Sequence, residues 1–330
     1  MSRARTASAD SGPPSREAAA GGGPRPVCVF APSPICTVTI EGTGGGEPEI
    51  HFHAGGQGFW IARMVNRLGA RAVLCAPLGG ETGAVLRTLV EREGVALEAV
   101  PVQGWNGGYV HDRRGGERRC LAAVPSPGLT RHEVDDLYDA TLVAGLAARV
   151  AVLTGPWPEG VVPAHVYERL PRDLGGNGVA VVADLSGVAL KAVKGGATFL
   201  KVSHTELIEA GCCAGEDRAQ VVEGARRLKE RSGARHVVVS RAHEPTLALV
   251  DDRLVEVAGP SFQALDHHGG GDSMTAGLAV ACARGLAPEA ALRLAAAAGA
   301  INVTRHGLGS GRRHSVELIA ERVEVRPLDA

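Results

Sequence analysis

The chain has 330 residues, of which 45% are hydrophobic, and its formal net charge is −1. This length and composition suit one large α/β domain with a small appendage, and the balanced charge argues against a nucleic-acid partner. The seven cysteines show no Cys-x-x-Cys spacing, so we expect neither a disulfide framework nor a zinc site, and we predict a cytoplasmic location. No apolar stretch reaches the ~18 residues that a membrane span requires, so no membrane association is expected.

The N-terminal segment differs in composition from the rest of the chain. Residues 1–26 are rich in Ser, Ala, Gly, Pro and Arg and lack the apolar middle part of a signal peptide, which predicts a disordered tail. The folded domain is therefore expected over residues 27–330, and it begins with a short buried strand at Val27–Phe30.

Two β-rich stretches interrupt the pattern of the remaining chain. The first contains strands at 38–40 and 50–53, whose alternating side chains indicate a sheet with one open face. The second contains short strands that are separated by paired glycines. We predict that the segments at about 35–53 and 99–124 form a small separate sheet that acts as a lid. Because small open sheets expose edges that need covering, we also expect a homodimer through the lid.

The rest of the chain alternates between strand and helix. A helix over 57–68 carries one apolar stripe, made of Ile61, Met64, Val65 and Leu68. Further strands are predicted at 71–76, 150–153, 179–183, 198–202 and 236–239, a hairpin at 247–257, and helices at 83–93, 131–147, 216–231, 271–283, 288–304 and near 315. Such alternation predicts a mostly parallel sheet that helices cover on both faces.

The run Gly269-Gly270-Gly271-Asp272 is the most informative part of the sequence. Three consecutive glycines let the backbone direct its N–H groups to one point, and a helix that starts there adds about half a positive charge. These features form a cradle for a phosphate group, and Asp272 beside it is suited to act as the base that activates a hydroxyl. The alternative interpretation is a flexible turn with a helix N-cap.

Other nucleotide-binding patterns fit the sequence poorly. The Walker pattern Gly-x-x-x-x-Gly-Lys-Ser/Thr is absent. The stretch Gly42–Gly46 resembles part of a dinucleotide fingerprint, but its third glycine is missing, and Pro48 and a strand follow where a helix should begin. A dehydrogenase function rests on that stretch alone, and binding of a nicotinamide cofactor would test it.

Several sequence blocks, taken in order, resemble the ribokinase-like sugar kinases of the PfkB family, with the 1-phosphofructokinase and tagatose-6-phosphate kinase branch as the most similar. The blocks are 54–58, 68–70, 78–83, 269–273 and 300–307. The resemblance implies an α/β fold, a ribokinase-like three-layer sandwich with a mostly parallel central sheet and a small β-sheet lid. It implies ATP and Mg²⁺ as cofactors, and a monovalent cation near Gly307 and Gly309.

The resemblance also implies roles for individual residues. Asp272 would take the proton from the acceptor hydroxyl, and the amides of Gly269, Gly270 and Gly271 would hold the charge on the transferred group. ATP is expected at Ser240, Arg241, Asn302 and Gly307. The acceptor substrate is expected at Thr37, Gly55, Gly56, Gln57 and Trp60. Glu206 would support the metal indirectly.

The acceptor side departs from the family pattern. Thr37 stands where the family has an Asp, Gln57 replaces a Lys, and residues 105–109 lack the Arg that the phosphosugar branch carries. Charge-assisted contacts are worth about 1.5–3 kcal/mol each, so these losses predict weaker binding of a sugar phosphate. Phe59 and Trp60 offer an aromatic stacking surface instead, and the alternative for Phe59 is ordinary helix packing.

We therefore predict an ATP-dependent phosphotransferase that acts on a hydroxyl of a sugar, a sugar phosphate or a related small alcohol. A nucleoside kinase is a variant of this function that the aromatic pair favours. A kinase-fold binding or regulatory protein with weakened catalysis is the other alternative. It is motivated by the departures at Thr37 and Gln57, by Trp60 where the family has an Asn, and by Ser203, which replaces the Asn of the family's Asn-x-x-Glu block. ATP turnover with a panel of sugars, sugar phosphates and nucleosides distinguishes among the three.

Overall fold

The computed structural model describes residues 24–42, 46–116 and 118–328. Most of the predicted tail, residues 1–23, lies outside the described residues. The strands are β1 (Val27–Phe30), β2 (Ile35–Glu41), β3 (Glu49–Gly55), β4 (Ala72–Leu78), β5 (Ala96–Pro101), β6 (Gly108–Asp112), β7 (Arg119–Val124), β8 (Val150–Thr154), β9 (Ala180–Asp184), β10 (Phe199–Ser203), β11 (His236–Arg241), β12 (Glu244–Val250), β13 (Arg253–Ala258) and β14 (Glu324–Pro327).

The helices lie between these strands, as the alternating pattern predicts. They are α1 (Gln57–Arg67), α2 (Gly80–Arg92), α3 (Arg131–Ala148), α4 (Ala164–Gly176), α5 (Gly187–Ala192), α6 (His204–Glu209), α7 (Arg218–Ser232), α8 (Gly270–Ala283), α9 (Pro288–Asn302) and α10 (Arg313–Ala320). Within the described part of the chain, no helix is both long enough and apolar enough to cross a membrane.

The larger sheet has ten strands in the order β14-β13-β12-β11-β10-β9-β8-β1-β4-β5. All neighbours from β11 to β5 run parallel, and β12, β13 and β14 continue one end of the sheet in antiparallel pairing. The central strands are rich in valine and almost completely buried, as expected of strands that are covered on both faces. The prediction of a mostly parallel α/β sheet is confirmed.

Two hydrophobic cores separate this sheet from two layers of helices. One core contains Met64 of α1, Leu278 of α8 and Leu294 of α9. The opposite core contains side chains of α3, α4 and α7, namely Leu137, Leu170 and Leu228. The result is the predicted three-layer sandwich, and burial of apolar side chains on both faces is the main force that holds it together.

The smaller sheet has four strands in the order β3-β2-β6-β7, so the two predicted β-rich stretches do form a separate sheet. We call this sheet the lid. The predicted start of its second segment at residue 99 is wrong, because Ala99 pairs with Ala76 of β4 at the edge of the larger sheet. Strand β5 follows α2 and completes a strand–helix–strand crossover, so only β6 and β7 of this stretch belong to the lid.

Helix α4 and strand β14 are not among the helices and strands that the sequence predicts. Pro171 lies inside α4, and a proline in a helix interior removes a hydrogen bond. Val166, Leu170 and Leu174 nevertheless form a fully buried stripe on this helix. Tertiary burial therefore outweighs the unfavourable local propensity.

Candidate active site

A cavity of about 430 Å³ lies between the lid and the carboxyl ends of β1, β8 and β9. In parallel α/β sheets ligands bind outside the carboxyl ends of strands, so this is the expected place for a site. The cavity is lined by Ser33, Ile35, Thr37, Gly56, Gln57, Trp60, Tyr109, Arg118, Gly155, Pro156, Trp157, Ser186, Asp272 and Leu308. Four of the five predicted acceptor residues and the predicted base therefore share one cavity.

The triple-glycine turn forms the N-terminus of α8. Gly269 has a φ of 73° and occupies the N-cap position, where no side chain accepts a hydrogen bond from the helix. The first backbone N–H groups of the helix therefore lack a side-chain cap. A side chain at Gly271 would place its Cβ 2.6 Å from Nζ of Lys201, so either the turn or the ammonium group that Asp184 holds would have to move. The turn has the open amides and nearby positive charge that an anion requires.

Asp272 follows the turn and is partly buried at the cavity wall. Burial raises the pKa of Asp272 to about 7, and the nearby carboxylates of Asp184 and Glu206 act in the same direction. The ammonium group of Lys201 and a hydrogen bond from Gln57 oppose this increase. A carboxyl group with a pKa near neutrality is well matched to accepting a proton from a hydroxyl group.

Lys201 and Asp184 form a buried ion pair beneath the turn, and neither residue is among the site residues predicted from the sequence. The ammonium nitrogen lies 3.2 Å from each carboxylate oxygen of Asp184, and the hydroxyl of Thr275 donates to the same carboxylate at 2.5 Å. Burial disfavours the charged form of Lys201, but the surrounding carboxylates raise its pKa overall. The available sequence signal was a lysine inside the otherwise apolar strand β10, because buried charges are rare unless paired.

Gln57, at the start of α1, connects the base to the opposite wall. Its Oε1 accepts a hydrogen bond from the backbone N–H of Gly155 at 3.1 Å, and its side chain also hydrogen bonds to Asp272. Gln57 therefore influences the pKa of Asp272 in addition to lining the cavity.

The two predicted acceptor glycines have different surroundings. Gly56 lines the cavity and has a φ of 95°. Gly55 does not line it, and a Cβ there would lie 2.9 Å from Oγ1 of Thr37. The prediction that Gly55 contacts the acceptor is therefore corrected. Because Gly55 has no side chain, β3 packs closely on β2 and Thr37 stays at the cavity.

Aromatic side chains cover part of the cavity wall. Tyr109 of the lid packs against Trp157 with a ring-centroid distance of 5.0 Å, and Trp60 lines the same cavity. Phe59 is only 2% exposed and belongs to the hydrophobic core. Ordinary helix packing is thus the correct interpretation of Phe59, and the stacking surface consists of other rings.

The lid supplies the cavity with a cation, Arg118, that is not among the site residues predicted from the sequence. Residues 105–109 contain no arginine, but Arg118 lines the cavity from the other side of the β6–β7 hairpin. Its guanidinium lies 2.8 Å from Nε2 of His111. Burial and the charges of Arg118 and Arg113 lower the pKa of His111, so this imidazole stays neutral and accepts the hydrogen bond. The expectation that the acceptor pocket lacks such a charge is therefore wrong.

The predicted nucleotide-side residues lie outside the lining of this cavity. Ser240 and Arg241 end β11, and the hydroxyl of Ser240 donates to the carbonyl of Val202. Gly307 has a φ of 91° in the turn after α9.

Asn302 requires a correction. It is 1% exposed, its Nδ2 donates to the carbonyl of His268 at 2.9 Å, and its Oδ1 accepts from the backbone N–H of Gly309 at 2.8 Å. Both ends of the amide are thus occupied within the protein. Asn302 holds the segment before the glycine turn against the loop after α9, and it does not present a polar group to a nucleotide.

The family model for "pfkB family carbohydrate kinase" matches residues 35–314, which is most of the chain. The chain belongs to the PfkB family of carbohydrate kinases. It is 28% identical over 282 residues to "ATP-dependent 6-phosphofructokinase isozyme 2" of Mycobacterium tuberculosis, covering 83% of this chain and 82% of that protein. It is 26% identical to "1-phosphofructokinase" of Bacillus subtilis, covering 78% of this chain and 84% of that protein.

Solved structures of PfkB-type kinases have the same fold as this chain. Phosphofructokinase-2 from Escherichia coli in complex with potassium aligns with a TM-score of 0.78 at 22% identity, covering 90% of this chain and 98% of that chain. Ribokinase from Arabidopsis thaliana, complexed with ribose and ATP, aligns with a TM-score of 0.69 at 19% identity, covering 90% and 99%. The ribokinase-like fold predicted from the sequence blocks is confirmed, and the protein is a kinase enzyme.

This chain offers the carboxylate of Glu206 as a candidate to support a divalent metal near the glycine turn. The described residues hold no cluster of three or more His, Cys, Asp and Glu side chains that could bind a metal by themselves. Glu206 accepts the backbone N–H of Ser203 in a capping box at the start of α6, yet it remains close enough to raise the pKa of Asp272. Mg²⁺ usually binds through one or two carboxylates together with substrate phosphates, and this arrangement fits that mode.

Proposed function

We propose that this PfkB kinase transfers the γ-phosphoryl group of ATP to a hydroxyl of a sugar phosphate, and that residues 27–330 form one kinase domain. The observation that carries the proposal is the common location of Asp272 and the glycine turn, above the buried ammonium of Lys201. A hydroxyl beside Asp272 and a phosphate on the backbone amides would meet in the geometry that phosphoryl transfer requires.

In the proposed step, the carboxylate of Asp272 accepts the proton of the acceptor hydroxyl. The hydroxyl oxygen forms a bond to the γ-phosphorus while the bond from that phosphorus to the bridging oxygen breaks, and ADP leaves. The amides of Gly269, Gly270 and Gly271 stabilise the charge on the group in transfer. Mg²⁺, when bound, neutralises charge on the phosphates of ATP, and Glu206 is the side chain proposed to support it.

The acceptor phosphate is assigned to Arg118. Its guanidinium lines the cavity and is held by the neutral ring of His111, whose Nδ1 has no hydrogen-bond partner among the described residues. The arginine guanidinium, with its planar set of N–H donors, suits a phosphate group. Thr37 and the wall formed by Tyr109 and Trp157 would then contact the sugar itself.

Nucleotide contacts by Ser240, Arg241 and Gly307 remain proposals. Their support is that β11 ends at the same edge of the sheet as β10, which carries Lys201.

A monovalent cation near Gly307 and Gly309 is a further proposal. Titration of kinase activity with KCl, against an equal ionic strength of a tetraalkylammonium salt, tests it.

The outer face of the lid supports the proposed homodimer. Val38 is paired with Phe52 on one side and with Val110 on the other, so these apolar side chains share a face. On this face Ile50, Phe52 and Val124 are 62%, 54% and 50% exposed. A second copy of the lid would cover such a patch.

A cytoplasmic location is also proposed, since all seven cysteines are free thiols.

Turnover of ATP with a matched panel tests the function. The panel contains fructose 1-phosphate, fructose 6-phosphate, tagatose 6-phosphate, the free sugars, and adenosine with other nucleosides. We expect turnover with a sugar phosphate and little with its free sugar. Preference for a nucleoside would favour the aromatic wall as a base-stacking surface, and tight ATP binding without any turnover would favour a binding or regulatory protein.

A further inference from the structure

An ion pair joins the lid to the segment that precedes the glycine turn. Arg113 follows the lid strand β6, and one guanidinium nitrogen lies 3.5 Å from Oδ2 of Asp266. The side chains are 31% and 14% exposed, so the pair is only partly screened by water. Arg113 also lies 3.9 Å from Glu41, and its backbone N–H donates to the carbonyl of Ile40, both at the end of lid strand β2.

Asp266 is in turn bonded to the residues that shape the turn. Its other oxygen, Oδ1, accepts the backbone N–H of His268 at 3.0 Å and lies 2.7 Å from Nδ1 of the same residue. The carbonyl of His268 accepts from Asn302, and Gly269 follows directly. The contacts thus run without interruption from the end of the lid to the first glycine of the turn.

We propose that Arg113 is a positioning residue that latches the lid to the glycine turn through Asp266. The inference rests on the proposed kinase function of this site. When the lid carries the acceptor into place, the pair fixes the carboxylate of Asp266, and that carboxylate fixes the backbone of His268 and Gly269. Lid position and the direction of the turn's amides are therefore coupled, although Arg113 itself touches neither ATP nor the reacting atoms.

Arg114 provides a matched control, because it is the adjacent arginine in the same turn. Its guanidinium is bonded to both oxygens of Asp112, within the hairpin, at 3.0 and 2.7 Å. Arg113→Gln and Arg114→Gln remove the same charge from neighbouring positions. Only the first variant removes the contact between the lid and the segment before the turn.

Hydrogen exchange measured by mass spectrometry reads the latch without requiring turnover. We expect Arg113→Gln to speed exchange in peptides covering 265–271 and 108–112 by about twofold to fivefold, and Arg114→Gln to leave 265–271 unchanged. Asp266→Asn should add little to Arg113→Gln in the same peptides, as expected of two partners in one interaction. Unchanged exchange at 265–271 in Arg113→Gln, or equal effects of the two arginine variants, would overturn the latch.

Kinetics then separate this inference from the proposed function. We expect Arg113→Gln to lower kcat/KM by about twofold to fivefold, and Arg114→Gln to leave it unchanged. If exchange responds as expected but no panel member is phosphorylated, the kinase proposal fails and the latch stands. If phosphorylation occurs and neither exchange nor kcat/KM responds to Arg113→Gln, the latch fails and the kinase proposal stands.

Discussion

Lys201, in the middle of β10, lies directly opposite Asp184, the last residue of the neighbouring parallel strand β9. Both side chains point toward the N-terminus of α8, where Thr275 donates to the same carboxylate and Gly271 leaves no room for a side chain above the ammonium group. The pair therefore supports the glycine turn from below. It also places a buried positive charge next to Asp272, whose pKa that charge lowers against the larger effect of burial.

We expect Lys201→Met to destabilise the fold by about 3–5 kcal/mol, because it leaves the buried carboxylate of Asp184 without its partner. Chemical denaturation of the variant and the wild type measures this. Lys229→Met is the control, since Lys229 pairs with Asp252, a carboxylate that is 95% exposed. Equal losses of stability in the two variants would mean that burial of the Lys201 pair is energetically unimportant.

Asp272→Asn should reduce kcat by about 10²–10⁴-fold, because an amide cannot take the proton from the acceptor hydroxyl. Steady-state kinetics with the best panel substrate measure the loss. The variant should still bind ATP, which isothermal titration calorimetry checks, because the backbone amides of the turn are unchanged. An Asn variant with full activity would exclude Asp272 as the base.

The pH dependence of activity follows from the raised pKa of Asp272. Only the ionised carboxylate accepts a proton, so kcat/KM should rise with pH through an acid limb near pH 7. Gln57→Leu removes a hydrogen bond that lowers this pKa, so the limb should move to higher pH. A limb that stays in place in Gln57→Leu would assign it to another group.

The free energy of unfolding should decrease with rising pH in the same range in which kcat/KM increases. The folded chain holds the Asp272 proton up to a pKa of about 7, against a reference value of 3.8. The unfolded chain releases this proton at lower pH, so stability from this group falls as pH rises from about 4 to 7. Asp272→Asn should flatten the decrease of Tm in this window, and differential scanning calorimetry from pH 4 to 8 measures it.

Gly271→Ala should lower kcat by about 10²-fold, because its Cβ would lie 2.6 Å from Nζ of Lys201 and push the turn out of place. Gly176→Ala is the matched control. A Cβ at Gly176 meets nothing within 4 Å, so this variant should keep its activity and gain about 0.4–1 kcal/mol of stability. Normal activity in Gly271→Ala would show that the turn tolerates displacement.

Arg118→Gln should raise the KM for a sugar phosphate about 10- to 100-fold, since it removes one charge-assisted contact to the phosphate. The KM for ATP should stay within about twofold of the wild type. Arg119→Gln, at the exposed neighbouring residue that does not line the cavity, is the control. If only Arg119→Gln raises the acceptor KM, the phosphate contact has been assigned to the wrong arginine.

Much of the fold was predictable because its signals are local. The apolar stripe of α1 and the valine-rich strands appear in short windows of sequence, and the structure has these elements with ends that differ by a few residues. The sequence predicts the end of strand β5 as part of the lid, because a short β-rich window does not indicate which sheet it joins. Its pairing with β4 comes from the crossover through α2, and this is a property of the chain path.

The triple-glycine turn and Asp272 can be identified from the sequence, because a bend, open amides and a following carboxylate depend on adjacent residues only. The contact of Lys201 with Asp184, and the entry of Arg118 into the cavity where residues 105–109 supply no cation, could not be predicted in this way. Side chains far apart in sequence interact through strand order and hairpin register, which only the folded chain sets. Strand order and register minimise the free energy of the whole packed chain, so they cannot be identified from a short segment of the sequence.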